Sequence, residues 1–271
     1  MKLKVEFLNK KIFEDKLSHL KDIDFSLFVE TIPTSQDELS SINVIVLYEP
    51  NEYFGKHDWV IKNKHLFNII LTWNDKILNN CENAMYLPFG HTWFKPDQYL
   101  KTHNKEFKIA HLCGALLKSY GHQIRHDILN RKNEIITPTK FFHTYGDRNN
   151  IERARFDKEE IFGDSQFGAA IENFSHRGWF SEKILDCFLL KTIPIYWGCS
   201  NIGDFFNEKG IIKFGEADEF IYISNQLTDN YYESKKQAIE ENYQLALQYV
   251  NYEQNIIDKI IEIFKYNNIN G

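Results

Sequence analysis

Between Phe167 and Gly198 the chain runs through an apolar strand, a polar loop, a short amphipathic helix and a second apolar strand, an order that places the stretch in an α/β layer. Phe167 to Ile171 reads as a buried strand, and Ile193-Pro194-Ile195-Tyr196-Trp197 as the second. Ser181 is a hydroxyl N-cap, and Ile184, Leu185, Phe188 and Leu189 supply one apolar helix face. A strand, a crossover helix and a second parallel strand form a right-handed βαβ unit, the building block of α/β sheets. Such a helix turns its unpaired first amides and the positive end of its dipole toward the loop, where the Lys183 ammonium adds a full charge. That corner suits a diphosphate, and Gly178 lets the backbone approach it closely. Asn173, next to Glu172 at the end of the first strand, can hydrogen-bond a sugar or ribose hydroxyl, and Glu182 can do the same. Taken alone, Ser181-Glu182-Lys183 also reads as an ordinary capped first turn with a helpful acid.

The first third repeats the α/β rhythm, with short apolar runs at Val5 to Phe7, Phe25 to Val29, Val44 to Tyr48, Phe67 to Thr72 and Met85 to Pro88. The clearest buried strand, Ile42 to Tyr48, stops at Glu49-Pro50, where proline ends the pairing. Glu49 thus sits at a strand's carboxyl end, where ligands collect in open α/β sheets, although a solvated loop carboxylate would look the same. From Lys95 to Lys105 the composition turns polar around Pro96, as in an interdomain linker, so one domain is expected over 1–100 and a second over 107–271. In the second, Ile109 to Leu112 and Lys140 to His143 read as extended and Ile124 to Leu129 as helical. Tyr231 to Tyr266 reads as one or two amphipathic helices that close it.

The 271 residues suffice for two cored domains. Their 32 Lys+Arg against 38 Asp+Glu, a formal net charge of −6, argue against a surface built for nucleic acid or an anionic membrane. No run of about 18 apolar residues is present to span a bilayer. Cys81, Cys113, Cys187 and Cys199 lack C-x-x-C spacing and read as buried reduced thiols of a cytosolic protein, any membrane contact being peripheral. Asp22-Ile23-Asp24 follows a Lys-rich segment rather than a buried strand and reads as a cap or surface charge. His122 and His126 have helical metal-ligand spacing without a suitable third ligand. No metal and no cofactor is therefore expected.

Three segments together carry a resemblance: Ile171-Glu172-Asn173, then Gly178-Trp179-Phe180-Ser181-Glu182-Lys183-Ile184-Leu185-Asp186, then Ile193-Pro194-Ile195-Tyr196-Trp197-Gly198. The set is similar to the signature of the family-10 α-1,3/4-fucosyltransferases: phenylalanine-glutamate-asparagine, a loop, tyrosine-valine-threonine-glutamate-lysine, a helix, and proline-isoleucine/valine-x-x-glycine. Exostosin-type transferases share part of it. The likeness implies a GT-B fold: two Rossmann-like domains facing a cleft, the C-terminal one holding a nucleotide diphospho-sugar. It further implies GDP-fucose as donor, a glycan as acceptor, and inverting transfer without a metal. Asn173 takes the place of the family's asparagine, Glu182 and Lys183 of its glutamate-lysine pair, and Ser181 of its threonine. Trp179 replaces the tyrosine, keeping an aromatic wall but losing the hydroxyl. Arg125, in His122-Gln123-Ile124-Arg125, matches the arginine that pairs with the diphosphate, a task for which a permanently charged fork is suited; by itself it reads as a helix-surface charge. Glu49, in Tyr48-Glu49-Pro50, occupies the place of the catalytic glutamate, with Glu52 and His57 in reserve. Two alternatives stay open: a UDP-hexose or another GDP-sugar as donor in the same fold, and a sugar-binding module without catalysis.

Overall fold

The computed structural model describes residues 1–143, 152–153 and 158–266. The chain divides into two compact units, one of residues 1–89 with 251–271 and one of residues 90–250. Among the described residues, eleven strands form two sheets in which every pairing is parallel.

In the first unit the strands lie side by side in chain order: β1 (Lys2–Val5), β2 (Phe25–Val29), β3 (Ile42–Leu47), β4 (Ile69–Thr72) and β5 (Ala84–Tyr86). β2 and β3 are near-continuous apolar runs because both of their faces are covered. Phe28, Ile45 and Ile70 pack with Val60 of helix His57–Lys62 and Ile77 of helix Asp75–Asn80. Phe25, three residues from Phe28, faces the other way and meets Phe264 of helix Tyr252–Tyr266 edge-on at 5.2 Å. β1 ends at Val5, earlier than the apolar run suggested, and Phe7 stands beyond it with φ 65°.

The second unit's sheet has the order β11-β10-β9-β6-β7-β8, from β6 (Glu106–Cys113), β7 (Thr139–His143), β8 (Glu152–Arg153), β9 (Ser165–Ile171), β10 (Ile193–Trp197) and β11 (Ile212–Lys213). The chain builds outward from β6 to β8, then returns to the other side of β6 with β9. This reversal creates a topological switch point between the carboxyl ends of β6 and β9, the place where such sheets bind ligands. On one face Phe167, Ala169 and Ile171 pack with Ile124 and Ile128 of helix Tyr120–Asn130; on the other, Ala170 packs with Leu185 and Phe188 of helix Glu182–Leu189.

Two boundaries differ from the sequence-based expectation. The polar stretch Lys95 to Lys105 contains helix Pro96–Tyr99 and belongs to the second unit, where the Lys105 ammonium donates to Thr192 Oγ1 (2.8 Å) and to the carbonyls of Ser165 (3.2 Å) and Phe162 (3.3 Å). Much of the stretch is exposed, but Lys105 at its end is tied into the second unit by these bonds. Helix Tyr252–Tyr266, expected to close the second domain, instead belongs to the first unit. No helix among the described residues is long and apolar enough to cross a membrane. All four cysteines are buried thiols, and Asp24 accepts from the Ser41 amide (2.8 Å) and hydroxyl (2.7 Å) just ahead of β3.

Candidate functional site

The switch point of the second sheet brings together five of the six donor-side residues singled out from sequence. β9 runs out at Ile171 into Glu172, which is wholly buried, and Asn173. Helix Tyr120–Asn130 packs so closely on this strand end that a Cβ on Gly121 would lie 1.7 Å from the Glu172 carbonyl oxygen. One turn further along that helix, the buried Arg125 guanidinium donates to Asn173 Oδ1 (2.6 Å) and to the Ile171 carbonyl. Arg125 is thus a buried fork aimed at the end of β9, not a surface charge.

Glu172 ties the strand to the next helix. Its carboxylate accepts from the Ser181 amide (2.8 Å) and the Ser181 hydroxyl (2.5 Å), and the same hydroxyl caps the Lys183 amide. On the far side, a Cβ on Gly198 would meet Glu172 Cγ at 2.4 Å, so the glycine ending the motif is required by contact with the glutamate that begins it. Lys183 Nζ lies 2.9 Å from Ser181 Oγ, 3.2 Å from Glu182 and 3.4 Å from Glu172. Lys158, which heads helix Lys158–Phe162, pairs with Asp186 at 2.6 Å and Glu182 at 3.5 Å, and Thr92 Oγ1 donates to the other Asp186 oxygen (2.7 Å). Arg125, Lys158 and Lys183 therefore stand against Glu172, Glu182 and Asp186.

Burial dominates the titration of this cluster. It pushes the Glu172 carboxyl up, and it would depress the Lys183 ammonium but for the Glu182 and Glu172 carboxylates, which hold that ammonium above the usual lysine value. Glu182 is likewise opposed by burial, yet Lys183 and Lys158 keep it well below the usual carboxylate range. A cavity of about 180 Å³ opens among Arg125, Lys158, Glu182, Lys183 and Asp186, with Phe162, Ala169 and Ile171 as apolar lining. Whole ligand pockets run to roughly 300–1,000 Å³, so this one has room for a diphosphate-sized piece of a larger ligand. Trp179 stands apart from its neighbours in the motif: its ring is 2% exposed, packed inside the fold rather than displayed as a wall. Among the described residues no group of three or more His, Cys, Asp or Glu side chains is arranged to hold a metal ion.

The comparisons with known proteins point to one architecture. The α-(1,3)-fucosyltransferase FucT of Helicobacter pylori is 31% identical over 94 residues, which are 31% of this chain and 20% of that protein, so the likeness is to a part of it. A solved α1,3-fucosyltransferase with GDP-fucose superposes with a TM-score of 0.54 at 17% identity, over 96% of this chain and 90% of that one. Anabaena HepE in complex with UDP and glucose does so with a TM-score of 0.57 at 13% identity, over 83% and 72%. The fold is GT-B. No protein-family model matches the chain. Within this GT-B chain, the expected diphosphate corner lies in the C-terminal sheet, and the expected base lies in the N-terminal one.

In that N-terminal unit Glu49 follows β3, partly exposed, with both backbone groups engaged: its amide donates to Glu30 Oε1 (2.8 Å) and its carbonyl meets the His57 ring nitrogen Nε2 (3.1 Å). Of the two reserves, His57 is buried in this supporting contact and Glu52 is exposed on helix Asn51–Phe54. Sequence reasoning passed over Glu30, although it ends β2 as Glu49 ends β3, and over Lys158. Glu30 is 1% exposed, and burial pushes its carboxyl up to about 7 against the pull of the Glu49 and Tyr48 amides. An unfolded glutamate loses its proton near 4.5 whereas Glu30 in the fold holds it to about 7, so the fold is progressively disfavoured as pH rises between these values. Glu30→Gln is accordingly expected to change stability little at pH 4 and to raise it at pH 8 by up to about 3 kcal/mol, at roughly 1.4 kcal/mol per pH unit. Denaturant unfolding at the two pH values reads this; equal effects at both would mean that the carboxyl does not titrate in this range.

Proposed function

We propose that the chain is an inverting, metal-independent glycosyltransferase that moves a sugar, with fucose from GDP-fucose favoured, to a glycan hydroxyl. The observation that carries this reading is the meeting of Arg125, Asn173, Ser181, Glu182 and Lys183 at the switch point of a GT-B sheet, where Arg125, Glu182 and Lys183 line a cavity and Asn173 and Ser181 are hydrogen-bonded to them. In the proposed reaction Glu49 takes the proton of the acceptor hydroxyl as its oxygen bonds to the anomeric carbon. The bond from that carbon to the diphosphate breaks on the opposite face, and the single displacement inverts the centre. Negative charge grows on the departing diphosphate, where Arg125, Lys183 and the first amides of helix Glu182–Leu189 would act as preorganised positive groups.

UDP-hexose transfer is the second reading, favoured by the likeness to HepE in complex with UDP and glucose. A thermal-shift panel of GDP, UDP, GDP-fucose, GDP-mannose and UDP-hexoses, with and without EDTA, separates the two, because a ligand that binds only the folded chain raises its melting temperature. A shift selective for GDP compounds and indifferent to EDTA is expected. A UDP-selective shift would transfer the case to the second donor, and sensitivity to EDTA would remove metal independence. No shift with any nucleotide would leave a sugar-binding module without catalysis.

A further inference from the structure

The carboxyl ends of three consecutive strands each carry an acid: Glu6 follows β1, Glu30 follows β2 and Glu49 follows β3. Glu30 occupies the middle and is bonded on every side. Its amide donates to the Val46 carbonyl (2.9 Å), its own carbonyl accepts from the Lys56 ammonium, and Lys56 also pairs with Glu6 at 3.2 Å. Its side-chain oxygen Oε1 accepts the amides of both Tyr48 and Glu49. The residue adopts φ 52°, a left-handed conformation that non-glycine residues avoid unless the surroundings impose it. A wholly buried acid in a disfavoured backbone conformation is a costly way to end a strand that a serine or asparagine could end.

We infer that Glu30 is a positioning residue for the Glu49 base, its ionised carboxylate fixing the Tyr48 and Glu49 amides and thereby the turn that carries the Glu49 side chain. The inference rests on the proposed role of Glu49. A carboxylate holds amide donors more strongly than a carboxylic acid does, so the grip on the turn follows the ionisation of Glu30. The groups around it are Lys56, whose charge favours the ionised form, Glu6, whose charge opposes it, the Tyr48 and Tyr252 phenols, on which its own charge acts, and Glu49, whose amide it accepts. With burial holding the Glu30 proton to about pH 7, the grip weakens as the pH falls through that value.

The test is GDP release from GDP-fucose with water as acceptor, in which the water oxygen bonds to the anomeric carbon, its proton passes to Glu49 and GDP departs. The rate is followed from pH 5 to 9 for the wild type, E30Q, E30A and E49Q. The wild-type kcat is expected to fall below about pH 7. E30Q offers the two amides only a neutral acceptor oxygen at every pH, as protonated Glu30 does, so its kcat at pH 8 to 9 should fall toward the wild-type level at pH 5 to 6 and the limb near pH 7 should be lost. E30A should lose tenfold or more in kcat at every pH with the donor KM within twofold; should E30A not fold, E30Q carries the test alone. An E30Q profile that superimposes on the wild type, beside an inactive E49Q, would overturn the inference while leaving the base in place. Wild-type turnover in E49Q, or no GDP release by the wild type, would remove the proposed reaction and this inference with it.

Discussion

Glu49→Gln is expected to lower kcat by roughly 10²–10⁴-fold, the range that a positioned general base contributes, while the affinity for the nucleotide sugar stays within a factor of two. The split follows from where the groups lie. Glu49 belongs to the first unit, whereas Arg125, Asn173, Glu182 and Lys183 belong to the second. Glutamine matches glutamate in size and hydrogen-bonds through the same oxygen, so the Glu49 backbone contacts to Glu30 and His57 can survive the change. What is lost is the capacity to take a proton. Steady-state turnover together with nucleotide titration by calorimetry reads both quantities. A kcat within threefold of the wild type would sink the assignment and return attention to Glu52; a parallel loss of donor affinity would mean that the substitution had disturbed more than the base.

Lys158→Ala is expected to destabilise the protein by roughly 3–5 kcal/mol, the cost of leaving a buried charge without its partner. Asp186 is 1% exposed, its Oδ2 rests on the Lys158 ammonium, and removal of that ammonium leaves it, among the described residues, the Thr92 hydroxyl. Lys158 also steadies Glu182, so the nucleotide-induced rise in melting temperature should shrink as well. Replacing both members of the pair, Lys158→Met with Asp186→Leu, removes the stranded charge and should recover most of the lost stability. Urea unfolding of the single and double variants reads the difference. A loss below about 1 kcal/mol in the single variant, the scale of an exposed pair, would show that water reaches Asp186 and that the cluster is not a closed one.

What the sequence disclosed depended on how far the relevant signal extended along the chain. The βαβ unit was legible because its two strands, its N-cap and its helix face lie within one short stretch, and the capping by Ser181 follows directly from its place. Arg125 was harder. It meets Asn173 48 residues away, through a glycine contact at Gly121 that no local pattern announces. Lys158 carries no motif at all. Its signal was Asp186, an acid among the buried Leu185, Cys187 and Phe188, which demanded a cation from somewhere. Glu30 could have been found by the reasoning that picked Glu49, since both are acids directly after buried strands. The domain boundary was misplaced because an exposed polar stretch was read as a linker, whereas it is a surface segment of the second unit anchored at its end by Lys105. Amphipathic spacing in Tyr252–Tyr266 correctly announced an apolar face, but periodicity says nothing about which sheet that face covers.

The placement of that last helix has a consequence for how the chain is made. The first unit's five strands are complete once residue 86 has been synthesised, yet the helix that meets Phe25 from the other side is not made until the entire second unit has followed. At about 5–20 residues per second, a nascent chain spends on the order of ten seconds or more with Phe25, Tyr48 and Phe89 lacking the Phe264 and Tyr252 rings that later pack on them. During that interval the oldest part of the protein is the part most in need of a chaperone.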